Sequence, residues 1–195
     1  MENMMAFQQP TAISGESIPL KKPVNPSAFH SWLRSPTAGG ADFDLCLAAD
    51  LRQEFYPEFV DPLRCVNDLA FLEIGVSKGY SLRMWREFFT GNSTLHFVDL
   101  DPAAKKHEAP GTKVWIGDSN SAELMQRIVA EIPGGAFDLI VDDGSHVPVH
   151  QLISFKHLFP YVRLGGLYVI EDVETSYISS MKVHAHVHRR RPRAF

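Results

Sequence analysis

The clearest indication of the fold of this chain is the stretch Ala70-Phe-Leu-Glu-Ile-Gly-Val-Ser-Lys-Gly79. It opens with an apolar run, Ala70–Ile74, which is short enough to be a buried strand. Two glycines follow, and a helical pattern then runs from Ser81 to Phe89 with Leu82, Trp85 and Phe89 on one face. A buried strand that turns through glycine into a helix is typical of a parallel α/β sheet.

Similar patterns continue along the rest of the chain. Short, mostly apolar runs alternate with helical patterns, and this alternation predicts parallel strands joined by right-handed crossovers. The predicted fold class is therefore α/β, a Rossmann-like parallel sheet of five strands with an N-terminal helical extension. The remaining predicted strands are Leu95–Asp99, Lys113–Ile116, Phe137–Val141 and Leu167–Ile170.

Two further helices are predicted between these strands. The first is Ser121–Glu131, at whose start Asn120 and Glu123 stand at capping-box spacing. The second helix, Pro148–Phe159, begins with proline and carries Leu152, Phe155 and Phe159 as its predicted apolar face.

Composition limits the class of protein. The chain has 195 residues, 45% of them hydrophobic and 22% charged, which suits one globular core. No uncharged apolar run approaches the roughly eighteen residues of a membrane span, and Met1–Pro10 does not resemble a secretory signal. With two cysteines, Cys46 and Cys65, a reduced cytoplasmic protein is the simplest interpretation.

Four zones are predicted along the chain. We expect residues 1–26 to be a flexible lead-in, 27–67 a helical cap, 68–177 the main domain, and 178–195 a basic, disordered tail. The net charge is −4, but residues 175–195 contain five basic residues and no acidic one, so the rest is strongly acidic. An acidic body lacks the basic surface that nucleic acid requires, and we expect neither a nucleic-acid nor a membrane partner.

Acidic residues follow every predicted strand, at the edge of the sheet where such folds bind ligands. Gly75 and Gly79 let the backbone approach a ligand, and Glu73 suits a ligand with a cationic amino-acid end. Asp99 stands where an acid commonly holds ribose hydroxyls. With Asp118, these residues favour S-adenosylmethionine as the cofactor. The full predicted cofactor set is Glu73, Gly75, Ser77, Gly79, Asp99, Asp118, Ser119 and Asp142.

A second acidic group predicts a metal. Asp142-Asp143 and Glu171-Asp172 end two strands that should lie about 4.8 Å apart. Several carboxylates in that space repel unless a cation neutralises them, and oxygen ligands favour a hard ion such as Mg²⁺. His146, three residues beyond Asp143, is placed to remove a proton from a substrate hydroxyl.

Residues Phe71 to Tyr177 resemble class I S-adenosylmethionine-dependent methyltransferases. Among them, the stretch is similar to the metal-dependent O-methyltransferases of the mycinamicin and macrolide-biosynthesis type, which act on sugars. The specific motifs are Asp142-Asp-Gly-Ser-His146 and Tyr168-Val-Ile-Glu-Asp172. The resemblance implies that Asp143, Glu171 and Asp172 bind the metal, that His146 is the catalytic base, and that Asp142 lines the cofactor pocket.

The same resemblance raises a question about the sheet. Such enzymes continue after the fifth strand with a helix and a two-strand hairpin, for which Ile178–Phe195 has too few apolar residues. We therefore expect Leu167–Ile170 to be an open edge, available to a second copy of the chain; the N-terminal region is another candidate contact.

The predicted activity is methyl transfer from S-adenosylmethionine to a hydroxyl of a glycoside or related small molecule. The alternative is a catalytically impaired, methyltransferase-like binding protein. An NAD-dependent oxidoreductase fits less well, because the chain lacks the G-x-G-x-x-G loop.

Overall fold

A computed structural model describes residues 5–8 and 59–173. Most of the predicted cap, including its best helical candidate at 43–55, lies outside these ranges, and so does the basic tail. The two zones remain predictions.

The described residues form a six-stranded sheet with helices on both faces. The strand order is β1-β6-β5-β2-β3-β4, and all neighbouring strands are parallel except β1 and β6. The strands are β1 (Met5–Gln8), β2 (Leu69–Ile74), β3 (Ser93–Asp99), β4 (Thr112–Ile116), β5 (Phe137–Asp142) and β6 (Val162–Ile170). The helices are α1 (Tyr80–Phe88), α2 (Ala122–Glu131) and α3 (Pro148–Leu158).

Two apolar clusters, one on each face of the sheet, form the core. Strand alternation sends Phe71 toward α1, where it contacts Trp85 and Phe89, and sends Leu72 toward the face covered by α2 and α3. Every residue of β2 and β5 is buried, as expected of central parallel strands. The predicted Rossmann-like fold is confirmed, with all five predicted strands present.

The outer side of β6 differs from the prediction. Met5–Gln8 pairs antiparallel with β6, with Met5 opposite Ile170 and Gln8 opposite Leu167. The prediction of an open edge at Leu167–Ile170 is therefore wrong, and contact between copies through that edge has no basis in this structure. Part of the predicted flexible lead-in is a strand, held in place by β6 and by Phe7, whose ring lies 4.7 Å from that of Phe155.

The helices also correct two details. The cap of α2 is Ser121, whose hydroxyl accepts a hydrogen bond from the Leu124 amide, rather than Asn120. In α3, Leu152 is 67% exposed, whereas Gln151, Ser154 and Leu158 are buried. Of the predicted apolar face, Phe155 and Phe159 pack against the core, and only Leu152 is wrong, because polar Gln151 and Ser154 share the inward face.

Short 3₁₀ helices complete the described structure at Asp61–Leu63, Pro102–His107, Pro133–Gly135 and Phe159–Tyr161. Among residues 5–8 and 59–173, no helix combines the length and apolar character needed to cross a bilayer.

Candidate functional site

The carboxyl ends of β2, β3, β4 and β5 surround a cavity of about 370 Å³. This is within the usual size range of small-molecule sites. Five of the eight predicted cofactor residues line it: Gly75, Ser77, Asp99, Asp118 and Ser119. Asp143, predicted as a metal ligand, lines it as well.

The loop after β2 passes very close to the loop after β5. Gly75 adopts a φ of +100°, and a Cβ atom added there would lie 2.2 Å from the backbone oxygen of Asp143. Only glycine satisfies both the backbone angle and this close approach. The glycine at position 75 therefore lets the loop after β2 lie directly against the Asp143 backbone at the cavity wall.

Asp99 holds the same loop from the other side. Its Oδ2 accepts hydrogen bonds from the amides of Val76 (2.8 Å) and Ser77 (2.9 Å), and its Oδ1 accepts one from Asp101 (2.8 Å). Burial alone would raise the pKa of Asp99, but these backbone donors outweigh it and lower the pKa. Asp99 is therefore a charged acceptor at the cavity wall, whatever else it binds.

Three predicted cofactor residues are outside the cavity lining: Glu73, Gly79 and Asp142. Glu73 is buried, and its carboxylate accepts hydrogen bonds from Ser81 Oγ (3.0 Å) and Trp85 Nε1 (3.1 Å). Gly79 caps the start of α1 and lies against the ring of His107. Glu73 and Gly79 fix the start of α1 and thereby the loop that precedes it.

Asp143, His146 and Asp172 come together at the end of β5 and β6. Each offers one ligand atom, and these atoms all lie within 4.8 Å of one another. His146 Nε2 is 3.5 Å from Asp172 Oδ2 and 4.0 Å from Asp143 Oδ1. The three side chains are between 22% and 32% exposed, so the cluster is open to a ligand.

Each acidic pair contributes one residue to this cluster. Asp142 is buried and accepts a hydrogen bond from the Tyr168 hydroxyl (3.4 Å), while Asp143 points to the cluster. Burial raises the pKa of Asp142 to about 7. Similarly, Glu171 is buried and lies outside the cluster that contains Asp172. The structure thus places two of the three predicted metal ligands together, with the predicted base between them.

The sequence reasoning missed part of the cavity wall. Leu100, Asn120, Ser145 and His150 also line it. Ser145 Oγ lies 2.9 Å from His150 Nδ1, and His150 belongs to the first turn of α3. Pro148 marks the start of a helix, and the first turn of a helix that follows a strand end faces this edge of the sheet. The position of His150 at the cavity could therefore have been predicted from the sequence.

The donor chemistry of the site fits both predicted groups. The two carboxylates of the cluster suit a hard divalent cation such as Mg²⁺, and the imidazole lies beside them as a neighbouring proton acceptor. A glycine loop beside a charged acceptor suits a nucleoside with a polar tail. Asp143 belongs to both the cluster and the cavity wall, so the two groups would be neighbours.

The model of a methyltransferase domain family matches residues 72–173, which include this entire site. The match covers more than half of the chain, and the chain belongs to this family.

Among individual proteins, the chain is similar to two enzymes named as O-methyltransferases. The chain is 44% identical over 119 residues to mycinamicin VI 2''-O-methyltransferase of Micromonospora griseorubida, and 39% identical over 118 residues to demethylmacrocin O-methyltransferase of Streptomyces fradiae. Each match covers 57% of this chain and 29% of the relative, so the chain spans less than a third of these proteins' length.

A solved structure agrees with these similarities. The MycE methyltransferase from the mycinamycin biosynthetic pathway, in complex with Mg and SAH, superposes with a TM-score of 0.61 at 32% identity. The superposition covers 74% of this chain and 39% of that one. A second MycE structure, which also contains mycinamycin VI, gives a TM-score of 0.60.

Proposed function

We propose that this protein is a metal-dependent O-methyltransferase that uses S-adenosylmethionine and acts on a hydroxyl of a glycoside or related small molecule. The observation that carries the proposal is the Asp143–His146–Asp172 cluster, which shares Asp143 with the cavity. Similarity to enzymes named for macrolide O-methylation, and to a structure with Mg and SAH, supports it.

In this proposal, the residues around the cavity hold the cofactor. Asp99 provides the charged acceptor for ribose hydroxyls, Gly75 and Ser77 form the loop beside it, and Asp118 and Ser119 line the far wall. Glu73 and Gly79 support this arrangement through α1, and buried Asp142 supports the turn that carries Asp143.

Asp143 and Asp172 would hold the cation, and Glu171 remains a sequence-based prediction because its side chain lies outside the cluster. A divalent cation supplies Lewis-acid chemistry that makes an acceptor hydroxyl more acidic. His146 would accept the hydroxyl proton at Nε2, the atom that faces Asp143 and Asp172.

The experiment is a methyl-transfer screen over hydroxylated glycosides and phenols, with Mg²⁺ and with chelator. We expect transfer that stops in chelator and returns with Mg²⁺. His146→Ala should bind Mg²⁺ and S-adenosylhomocysteine normally yet lose about 10²- to 10⁴-fold in rate. Asp143→Ala should lose metal binding and activity together. Full activity in chelator would contradict the proposal.

The second candidate is a binding protein that holds the nucleoside without turnover. It is retained because the matched region is less than a third of each relative's length. Calorimetric binding of S-adenosylhomocysteine with no transfer to any acceptor would favour it.

We also propose that the protein is located in the cytoplasm. Its binding partner would be the small molecule that carries the acceptor hydroxyl. Cys65 is an exposed free thiol, which a reducing compartment would keep intact.

A further inference from the structure

Gln151 is a buried polar residue that neither apolar packing nor the proposed chemistry explains. It lies in the first turns of α3 with only 5% of its surface exposed. A buried amide is costly unless its polar atoms find partners. Its presence on the inward face of α3 therefore requires a specific partner.

That partner is the backbone of Glu171, the residue that precedes Asp172 of the cluster. The Gln151 side chain donates a hydrogen bond of 2.9 Å from Nε2 to the backbone oxygen of Glu171. Because a carbonyl oxygen only accepts hydrogen bonds, the amide nitrogen must face it. On its other side, Glu171 donates its own N–H to the Asp142 carbonyl at 2.9 Å. Glu171 is thus held at both backbone groups.

The peptide that Gln151 fixes leads directly into Asp172. Asp172 has a φ of +53°, in the left-handed region that side-chain-bearing residues rarely adopt. Its φ is the rotation that follows the Glu171 carbonyl, so the orientation of that carbonyl helps to set the direction of the Asp172 side chain. Such a conformation persists only where its surroundings hold it.

Gln151 is also connected to the other half of the cluster. Its backbone N–H donates to the Val147 carbonyl at 3.1 Å, and Val147 directly follows His146. His146 has a left-handed φ of +54° as well. One residue therefore links the turn that carries His146 to the segment that carries Asp172.

We infer that Gln151 is a positioning residue that fixes the Glu171–Asp172 peptide and thereby holds Asp172 beside Asp143 and His146. The inference rests on the proposed metal site for its functional meaning. Its structural content, a peptide fixed by a side-chain amide, is independent of whether a metal binds.

The test compares three variants of the full chain. Gln151→Glu keeps the shape but replaces the donor with an acceptor, and Gln151→Met removes both polar atoms while filling similar volume. Ser154→Ala is the matched control, since Ser154 is 1% exposed on the same face of α3. Each variant is titrated calorimetrically with Mn²⁺ and, separately, with S-adenosylhomocysteine, and hydrogen exchange is followed across residues 170–173.

We expect both Gln151 variants to bind Mn²⁺ about 10- to 100-fold more weakly, the usual effect of losing an outer-shell contact. Affinity for S-adenosylhomocysteine should stay within about twofold, and exchange at 170–173 should accelerate. Wild-type Mn²⁺ affinity and unchanged exchange in Gln151→Met would overturn the inference. If the wild type itself binds no Mn²⁺, the proposed metal function fails, and the exchange measurement alone decides the role of Gln151: faster exchange supports it, unchanged exchange overturns it.

Discussion

Replacing Asp99 with alanine tests two roles of this carboxylate: the loop contacts that the structure shows and the proposed contact with ribose. The change removes the acceptor of three backbone donors, the amides of Val76, Ser77 and Asp101. A hydrogen bond to a charged group contributes about 1.5–3 kcal/mol. The Ser77 and Asp101 amides are exposed enough for water to replace the carboxylate, but Val76 is 2% exposed. We therefore expect the free energy of unfolding to fall by about 2–3 kcal/mol.

The matched control for this loss is Asp101→Ala. Asp101 also accepts a backbone N–H, from Ala103 at 2.8 Å, but it caps a short helix and is not among the residues that line the cavity. Loss of a cap costs about 1 kcal/mol. Urea unfolding compares the stability of the two variants, and a loss in Asp99→Ala no larger than in Asp101→Ala would refute the loop-holding role.

Calorimetry of the same two variants tests the cofactor role. We expect S-adenosylhomocysteine to bind Asp99→Ala more weakly by about 1–3 kcal/mol, because ribose hydroxyls lose a charged acceptor. Asp101→Ala should bind it normally. Asp99→Asn, which keeps one acceptor oxygen, should lie between the wild type and Asp99→Ala. Unchanged affinity in folded Asp99→Ala would show that ribose does not contact this residue.

Three further predictions concern stability. Gly75→Ala should cost more than about 2 kcal/mol and weaken Mn²⁺ binding, because its Cβ would meet the Asp143 backbone; Gly134→Ala, also at positive φ but with nothing within 4 Å, should cost only about 1 kcal/mol. Chemical unfolding and Mn²⁺ titration compare the pair, and equal costs would contradict the close approach. Burial lowers the pKa of His96 to about 4, whereas the pKa of an unfolded histidine is about 6.5. As the pH falls, the unfolded chain therefore protonates this imidazole before the folded chain does. We expect the free energy of unfolding to fall by about 2 kcal/mol between pH 7.5 and pH 5. Guanidinium unfolding of His96→Gln should show a flatter pH dependence, and an unchanged slope would exclude His96 as its source. Phe7→Ala should lower the free energy of unfolding by about 1 kcal/mol, because it removes the ring that packs on Phe155. Hydrogen exchange at residues 167–170 should accelerate, since these residues pair with β1. Exchange equal to wild type would show that the Phe7 ring contributes no protection there.

The sequence predicted the parallel sheet well because its signals are local. Each central strand is a short apolar run that ends at an acid or a glycine, and these features do not depend on distant residues. The same signals brought Gly75, Asp99 and Asp118 to one cavity, since the carboxyl ends of parallel strands must meet. Glu73 could have been placed too. Period-two alternation puts it on the same face as Phe71, toward α1, as its bond to Trp85 shows.

The features that sequence reasoning missed depend on distant partners. Met5–Gln8 is too short to show a strand period, and it is a strand only because β6 lies beside it. Gln151 interrupts an apolar pattern because its partner is a carbonyl twenty residues further along the chain.

The pairing of β1 with β6 has a consequence for the order of folding during synthesis. Met5–Gln8 is synthesised long before its partner, the Leu167–Ile170 end of β6. Contacts between such distant positions form slowly, because a very long loop must close before they stabilise anything. The central strands can therefore pair first, and β1 can pair only once the Leu167–Ile170 segment has been made. Until that moment, the nascent chain presents β6 with one side unpaired, and this is the stage at which neighbouring polypeptides could add to it.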